Sequence, residues 1–249
     1  MMTPRLLNKV CLITGGSQGI GLATALKFCS EGAIVVICDL KDACVNQAVA
    51  QCRALGAIAE GFVMDVTQRA AIDAVVATVK AMFGRIDVLV NNAGITQDAY
   101  LQKMTQEQFG HLIDVNLRGV FHCSQAVADI MVRQGGGVIL NASSVLGLYG
   151  NFAHSNYVAT KFGVNEVTKT WSLELGPKGV RVNAVAPGFI SMPMVTQAPE
   201  RIQADLVAKV ALRRLGTPEE VANVYAFLAS DEASYINGEV VEVSGGLSL

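Results

Sequence analysis

The chain has 249 residues, 51% of them apolar and 16% charged, with a net charge of −2. That composition supports a sizeable buried core and excludes a disordered chain, and the near-neutral balance offers no basic surface to nucleic acid or anionic membrane. No apolar run approaches the roughly 18–20 residues of a membrane span and no signal-peptide core precedes the first strand.

Six cysteines without a Cys-x-x-Cys pair, and three histidines at no ligand spacing to them, argue for free thiols in a reducing cytoplasm and against a metal site.

Val10–Thr14 is a short continuous apolar run, as in a strand covered on both faces. The turn Thr14-Gly-Gly-Ser-Gln-Gly-Ile-Gly21 follows and leads into a helix predicted from Ile20 to about Ser30. Gly15, Gly19 and Gly21 permit a sharp turn and close approach of a ligand, and the helix start offers free N–H groups to a pyrophosphate. Ser17, Gln18 and Ile20 ride on the same turn and join the cofactor-binding candidates. The spacing is neither G-x-G-x-x-G nor a P-loop; only its strand–turn–helix context points to a dinucleotide.

The second strand, Ala33–Cys38, ends at Asp39, eighteen residues after Gly21. An acidic residue there suits the adenosine ribose hydroxyls and repels a 2′-phosphate. No basic residue sits in the glycine turn, although Lys41 is close, so NAD(H) is expected over NADP(H), with Leu40 beside it; alternatively Asp39 is a turn residue.

A helix is predicted over Ala43–Leu55, closed by Gly56, and a third strand over Ile58–Met64. Asp65 and Val66 then serve either an adenine edge or a turn. Gln68–Phe83 reads as a helix ended by Gly84, and Val88–Val90 as the fourth strand. It runs into Asn91-Asn-Ala-Gly94, where Asn92, Ala93 and Gly94 either hold cofactor ribose or tie strands together. Helical patterns cover Thr105–Phe109 and Ile113–Arg133. Asn116 lies inside the second, and a buried amide without partners costs ~1–3 kcal/mol, so it is structural glue or part of a proton path.

Gly137–Leu140 is the fifth strand, with Ser144 just past its end and thirteen positions before Tyr157. Tyr157 and Lys161, four apart on the predicted helix Ser155–Leu175, share a face. A hydroxyl facing a phenol and an ammonium suits acid–base work on a carbonyl or alcohol. On its own, Tyr-x-x-x-Lys fits any amphipathic helix. Val180–Ala186 is the sixth strand. The irregular stretch from Pro187 to about Ala198, carrying Gly188 and Ile190, reads as the start of a substrate lid around 188–213. Thr217 caps a helix from Pro218 to Ala229, and Glu239–Val243 is the last strand. Such alternation predicts an α/β fold, a doubly wound parallel sheet forming a single domain over 1–249.

Taken together, Thr14-Gly-x-x-x-Gly-x-Gly21, Asn91-Asn-Ala-Gly94, Asn116, Ser144, Tyr157-x-x-x-Lys161, Asn183-x-x-x-Pro187-Gly188 and Ile236-Asn-Gly-x-x-x-x-Val243-x-Gly245-Gly246 resemble the short-chain dehydrogenases/reductases along essentially the whole chain. The resemblance implies a Rossmann fold, a nicotinamide cofactor held also by Tyr157, Lys161, Pro187, Gly188 and Ile190, a catalytic tetrad of Asn116, Ser144, Tyr157 and Lys161, and a homotetramer. Pro187–Ile190, Arg214–Ala222 and Phe227–Ile236 resemble the 3-oxoacyl-[acyl-carrier-protein] reductases, which implies an acyl thioester substrate and acyl carrier protein as a partner.

Three departures stand out. Asp39 suits NAD where those reductases mostly use NADP. Met192 replaces a threonine that commonly meets the nicotinamide amide. Only Arg133 and Lys178 remain of the basic residues that would face an acidic carrier. The expected activity is NAD(H)-dependent interconversion of a carbonyl and a secondary alcohol. Alternatives are a secondary alcohol dehydrogenase/ketone reductase working without a carrier and, more remotely, a non-catalytic dinucleotide-binding protein. Tyr157 is the expected proton donor, its pKa lowered by Lys161 and the positive nicotinamide ring, with Ser144 on the substrate oxygen and Asn116 positioning a water that links Lys161 to solvent. Ile95, Leu146, Tyr149, Phe189 and Met192 are candidates for an apolar substrate pocket; His154 is expected to be a solvated loop residue.

Overall fold

The alternating apolar runs become strands β1 (Val10–Thr14), β2 (Ile34–Asp39), β3 (Ala59–Val63), β4 (Val88–Asn91), β5 (Gly137–Ala142), β6 (Val180–Pro187) and β7 (Val240–Val243). In the computed structural model, which describes residues 4–192, 197 and 199–248, they form one sheet in the order β3-β2-β1-β4-β5-β6-β7. Every pairing is parallel.

Nine α-helices stand among the described residues: α1 (Gly19–Ser30), α2 (Asp42–Ala54), α3 (Arg69–Phe83), α4 (Gln106–Ile113), α5 (Gly119–Arg133), α6 (Leu146–Tyr149), α7 (Ser155–Leu175), α8 (Glu200–Ala208) and α9 (Pro218–Ala229). The period of two along β1 sorts the core: Cys11 and Ile13 pack with α1, α2 and α9, whereas Val10 and Leu12 pack with α3 and α5. This is the single-domain Rossmann architecture expected from the sequence. Among the described residues no helix is long and apolar enough to cross a membrane.

Strand order reverses between β1 and β4, and the crevice above such a point is where a doubly wound sheet binds ligands. Buried amides stitch the sheet there. Asn91 Nδ2 donates to Ser124 Oγ and to Asn141 Oδ1, each at 2.9 Å, and Asn141 Nδ2 donates to Thr168 Oγ1 at 2.8 Å. Of the two readings left open for Asn91, strand tying is the one its contacts fit.

Two elements differ from expectation. The helical run Ile113–Arg133 is broken by a π-helical turn at Asp114–Arg118, which turns Asn116 inward. The lid range 188–213 contains α8, a helix that was not anticipated and that begins just past the irregular stretch expected to end near Ala198. Its start is anchored, since Ser191 N donates to the Gly216 carbonyl at 2.8 Å and Gly216 N to the Phe189 carbonyl at 2.9 Å. Positions 193–196 and 198 of that stretch lie outside the described residues.

Candidate active site

The glycine turn is built for close approach. Gly15 has φ +61°, and a Cβ on it would stand 2.8 Å from Ala93 Cα. A Cβ on Gly21 would fall 2.1 Å from the Gly15 carbonyl oxygen and 2.6 Å from Asn92 Nδ2. Asn92 Nδ2 in turn donates to the Thr14 and Gly15 carbonyls at 3.2 and 2.9 Å, and the backbone N–H groups of Asn92 and Ala93 both donate to Thr14 Oγ1 at 3.1 Å. The ends of β1 and β4 are thereby locked into one floor. At the tip of β2, Asp39 Oδ2 accepts from Ser17 N at 3.1 Å and from Ser17 Oγ at 2.5 Å. Its carboxylate is thus aimed by the glycine turn itself.

The acid–base groups stand at the far end. Lys161, 4% exposed, donates from Nζ to the Ala142 carbonyl at 2.8 Å and lies 5.5 Å from the centre of the Tyr157 ring. Burial, which disfavours a charge, pulls the Lys161 ammonium down to about 8. Burial also pushes the Tyr157 phenol up; a hydrogen bond with Ser144 opposes this, and the Asp98 carboxylate adds to it. Lys161 together with a bound nicotinamide ring was expected to lower the phenol's pKa. In the ligand-free protein, burial holds the phenol neutral. Ser144 is buried and accepts from Leu146 N at 3.2 Å, which fixes the start of α6 beside it.

Asn116 works from behind. Its Oδ1 accepts from Ile95 N and its Nδ2 donates to the Ile95 carbonyl, both at 2.9 Å, with Thr160 Oγ1 at 3.4 Å. It braces the wall that follows β4 and does not itself line the cleft. The π turn that presents it is a local irregularity of the kind that recurs at functional positions.

One cavity of about 750 Å³ connects these parts. From the glycine turn it is lined by Gly15, Gln18, Gly19 and Ile20; Asp39 and Leu40 follow at β2, and Asp65 and Val66 after β3. Asn92, Ala93 and Gly94 form the floor, Ser144, Tyr157 and Lys161 the far end, and Pro187, Gly188 and Ile190 complete the lining. Ser17 and Gly21, also expected to touch a cofactor, stand behind this lining: Ser17 holds Asp39 and Gly21 packs beneath Gly15. Asp65 makes the turn its type suggested, accepting from Thr67 N and Oγ1 at 2.8 Å, and lines the cavity as well.

A family model described as enoyl-(acyl carrier protein) reductase matches residues 15–248. The 3-oxoacyl-[acyl-carrier-protein] reductase FabG of Thermotoga maritima is 49% identical over 245 residues, covering 98% of this chain and 100% of that protein. The chain belongs to the short-chain dehydrogenase/reductase family. A second member, a 3alpha-hydroxysteroid dehydrogenase of Mediterraneibacter gnavus, is 44% identical over 96% of this chain and 97% of its own. The crystal structure of gox2181 superposes with a TM-score of 0.94 at 38% identity, covering 98% of this chain and 97% of that one. The protein is accordingly an oxidoreductase acting on CH–OH groups with a nicotinamide dinucleotide.

The residues present fit that cofactor. Glycines stand where a Cβ would intrude on the floor, and two buried hydroxyls on the cavity wall, of Ser143 and Tyr225, make no hydrogen bond among the described residues. Neither was anticipated: Ser143 looks like a strand-end serine and Tyr225 like an apolar helix residue. Thr96, His111 and Asp114 also line the cavity without any sequence signal that marks them.

The substrate-side candidates divide. Ile95 and Met192 line the cavity, whereas Leu146 and Phe189 pack against Val145, Val210 and Leu247. Tyr149 is exposed and donates to Glu242 Oε2 at 2.8 Å. His154 is not a freely solvated loop residue: its Nδ1 meets the Phe152 carbonyl at 2.7 Å, its Nε2 lies 3.3 Å from Asp98 Oδ2, and its ring sits edge-on to Tyr157.

Proposed function

We propose that this chain is an NAD(H)-dependent reductase of 3-oxoacyl thioesters, interconverting a carbonyl and a secondary alcohol. The observation that carries the reading is the convergence of Tyr157, Ser144 and Lys161 at one end of a cavity whose other end is the glycine turn and Asp39. The bound nicotinamide supplies or accepts the hydride. Tyr157, kept neutral by burial, donates its proton to the carbonyl oxygen in reduction and must ionise to act in oxidation. Ser144 holds the same oxygen as charge develops on it. Lys161 places its ammonium beside the phenol ring and would hold the cofactor ribose. Asn116 is a positioning residue for the Ile95 wall. The segment around 188–213 acts as the substrate lid, with Met192 reaching to 3.3 Å from where a Gly19 Cβ would stand.

The preference for NAD(H) rests on the oriented Asp39 carboxylate, which a 2′-phosphate would have to approach. The thioester reading draws on the likeness to the Thermotoga maritima reductase over nearly the whole chain. A second reading, oxidation or reduction of a free hydrophobic alcohol or ketone without a carrier protein, draws on apolar surface carried by the segments that follow Ile95 and precede Tyr157. Tyr100 and Phe152 stack with ring centres 6.4 Å apart, and Phe152 is 74% and Leu101 78% exposed.

The test compares an acetoacetyl thioester with simple and cyclic ketones, each with NADH and NADPH. Faster reduction of the thioester with NADH supports the first reading. Faster turnover of the free ketones installs the second, and NADPH preference overturns the cofactor assignment. We further read the chain as a cytoplasmic homotetramer. The exposed Phe121, Phe162 and Leu173 on α5 and α7, with Trp171 tilted against Phe121, form apolar surface for a two-fold contact. Light scattering on the purified protein tests this.

A further inference from the structure

Buried polar atoms without a partner are few, and most lie away from the cleft. Among the described residues they belong to Asn91, His122, Ser143, Asn165 and Tyr225, and only Ser143 and Tyr225 line the large cavity. Tyr225 is the larger anomaly. It is 0% exposed and packs in the same apolar cluster as Ile13, Leu140, Val185 and Ile190. A phenylalanine would fill that space with no hydroxyl to satisfy, and an unpaired buried hydroxyl destabilises the fold. The residue is also held in place from below: α9 begins with a capping box in which Thr217 Oγ1 accepts from Glu220 N and Glu220 Oε2 accepts from Thr217 N.

The phenol's place along the cavity is defined by its neighbours. Ile190, which shares its cluster, lines the same cavity as Tyr157, together with Pro187 and Gly188. The Tyr157 phenol is also close enough to oppose ionisation of Tyr225, adding to the effect of burial. Both relations associate the hydroxyl with the end of the cavity that holds Tyr157. The nearby Met192 brings a thioether, a weak acceptor with no proton to give.

We propose that the Tyr225 hydroxyl is a hydrogen-bond partner for the nicotinamide half of the bound dinucleotide, a contact made from the helix α9 side of the cleft. This rests on the cofactor reading above. A phenol can donate to a carboxamide oxygen or accept from its nitrogen, so either orientation of the amide is served. The bond is formed only in the complex, so the protein carries an unsatisfied group until the ring half arrives.

Calorimetric titration of wild type and Tyr225→Phe with NADH, NADPH and ADP-ribose, which lacks the nicotinamide ring, tests the contact. The expected result is an NADH dissociation constant raised roughly five- to tenfold in Tyr225→Phe, with ADP-ribose affinity unchanged within about twofold. Ligand-free Tyr225→Phe should melt at or above the wild-type temperature, because the variant removes an unpaired group. Equal NADH affinity in the two proteins overturns the contact while leaving the cofactor reading intact. An equal loss for NADH and ADP-ribose moves the phenol to the other half of the cofactor and overturns the assignment. A clear drop in ligand-free melting temperature shows that the hydroxyl already has a protein partner, and so also overturns it. A wild type that binds neither dinucleotide removes the underlying reading and this contact together.

Discussion

The Lys161 ammonium lies 5.5 Å from the centre of the Tyr157 ring, and burial moves the two groups in opposite senses, the phenol up and the ammonium down. Each shift favours the neutral form. With the phenol as proton donor for reduction, as proposed, the rate should be flat from about pH 6 to 9 and fall only at higher pH. Oxidation needs the phenolate and should climb with pH across that interval. Tyr157→Phe should reduce turnover about a hundredfold or more in both directions with NADH affinity nearly unchanged. Steady-state rates and a binding titration check both parts.

The same burial makes Lys161 a stability liability with a definite sign. Its pKa in the folded protein is about 8, against 10.5 when exposed. Between those values the unfolded chain holds the extra proton, so stability rises with pH through that window, and below it the penalty is complete. Lys161→Met removes the effect. The variant's stability relative to wild type should therefore be greatest near pH 7 and decline by about 1–3 kcal/mol on going to pH 10.5. Loss of the donor to the Ala142 carbonyl lowers the whole curve without altering its slope. Urea unfolding at several pH values reads this, and a pH-independent difference would contradict it.

Asp39 is held by two hydrogen bonds from Ser17, so its charge cannot readily swing away from an incoming 2′-phosphate. Wild type should use NADH over NADPH by about tenfold or more in kcat/KM. Asp39→Asn keeps the shape and removes the charge, and should bring the two cofactors within a few fold, with NADH becoming the poorer substrate. An unchanged ratio in Asp39→Asn would show that the carboxylate does not set the choice.

Gly21 and Gly110 offer a paired test of close approach. A Cβ on Gly21 would stand 2.1 Å from the Gly15 carbonyl oxygen, whereas one on Gly110 meets nothing within 4 Å. Gly21→Ala must displace the glycine turn and should destabilise the fold by roughly 1–3 kcal/mol or more, with NADH binding lost. Gly110→Ala sits inside α4 and should stabilise by roughly 0.5–1 kcal/mol, with binding unaffected. Thermal melts with and without NADH compare the two.

What could be read from the chain follows the range over which each signal acts. Continuous apolar runs such as Val10–Thr14 report burial on both faces, so all seven strands were legible. Tyr157 and Lys161 share a helix and were joined by periodicity alone. Features that depend on distant packing were hidden. The π turn at Asp114–Arg118 leaves no mark on local periodicity, yet it is what points Asn116 at Ile95. Tyr225 sits in an apolar helix stripe, and only the assembled sheet brings its hydroxyl to the cavity. The burial that raises the Tyr157 phenol in the ligand-free protein was equally hidden, whereas its adjacency to Lys161 was visible in sequence.

Asp98 supplies the last prediction. The Phe152 carbonyl can only accept, so His154 Nδ1 carries a proton, and its Nε2 faces Asp98 Oδ2 at 3.3 Å. The carboxylate that steadies this ring also raises the Tyr157 phenol, since a nearby negative charge opposes a second one. Removing it has a worked sign: in Asp98→Asn the phenol ionises more easily, so the rising limb of the oxidation rate should move to lower pH. Asp98 is half exposed, so solvent and salt screen it, and the displacement should be larger at about 0.05 M salt than at about 0.5 M. Oxidation rates of wild type and variant, measured across pH at both ionic strengths, decide the matter; a shift to higher pH, or one indifferent to salt, would place the effect in the geometry of the His154 loop and not in charge.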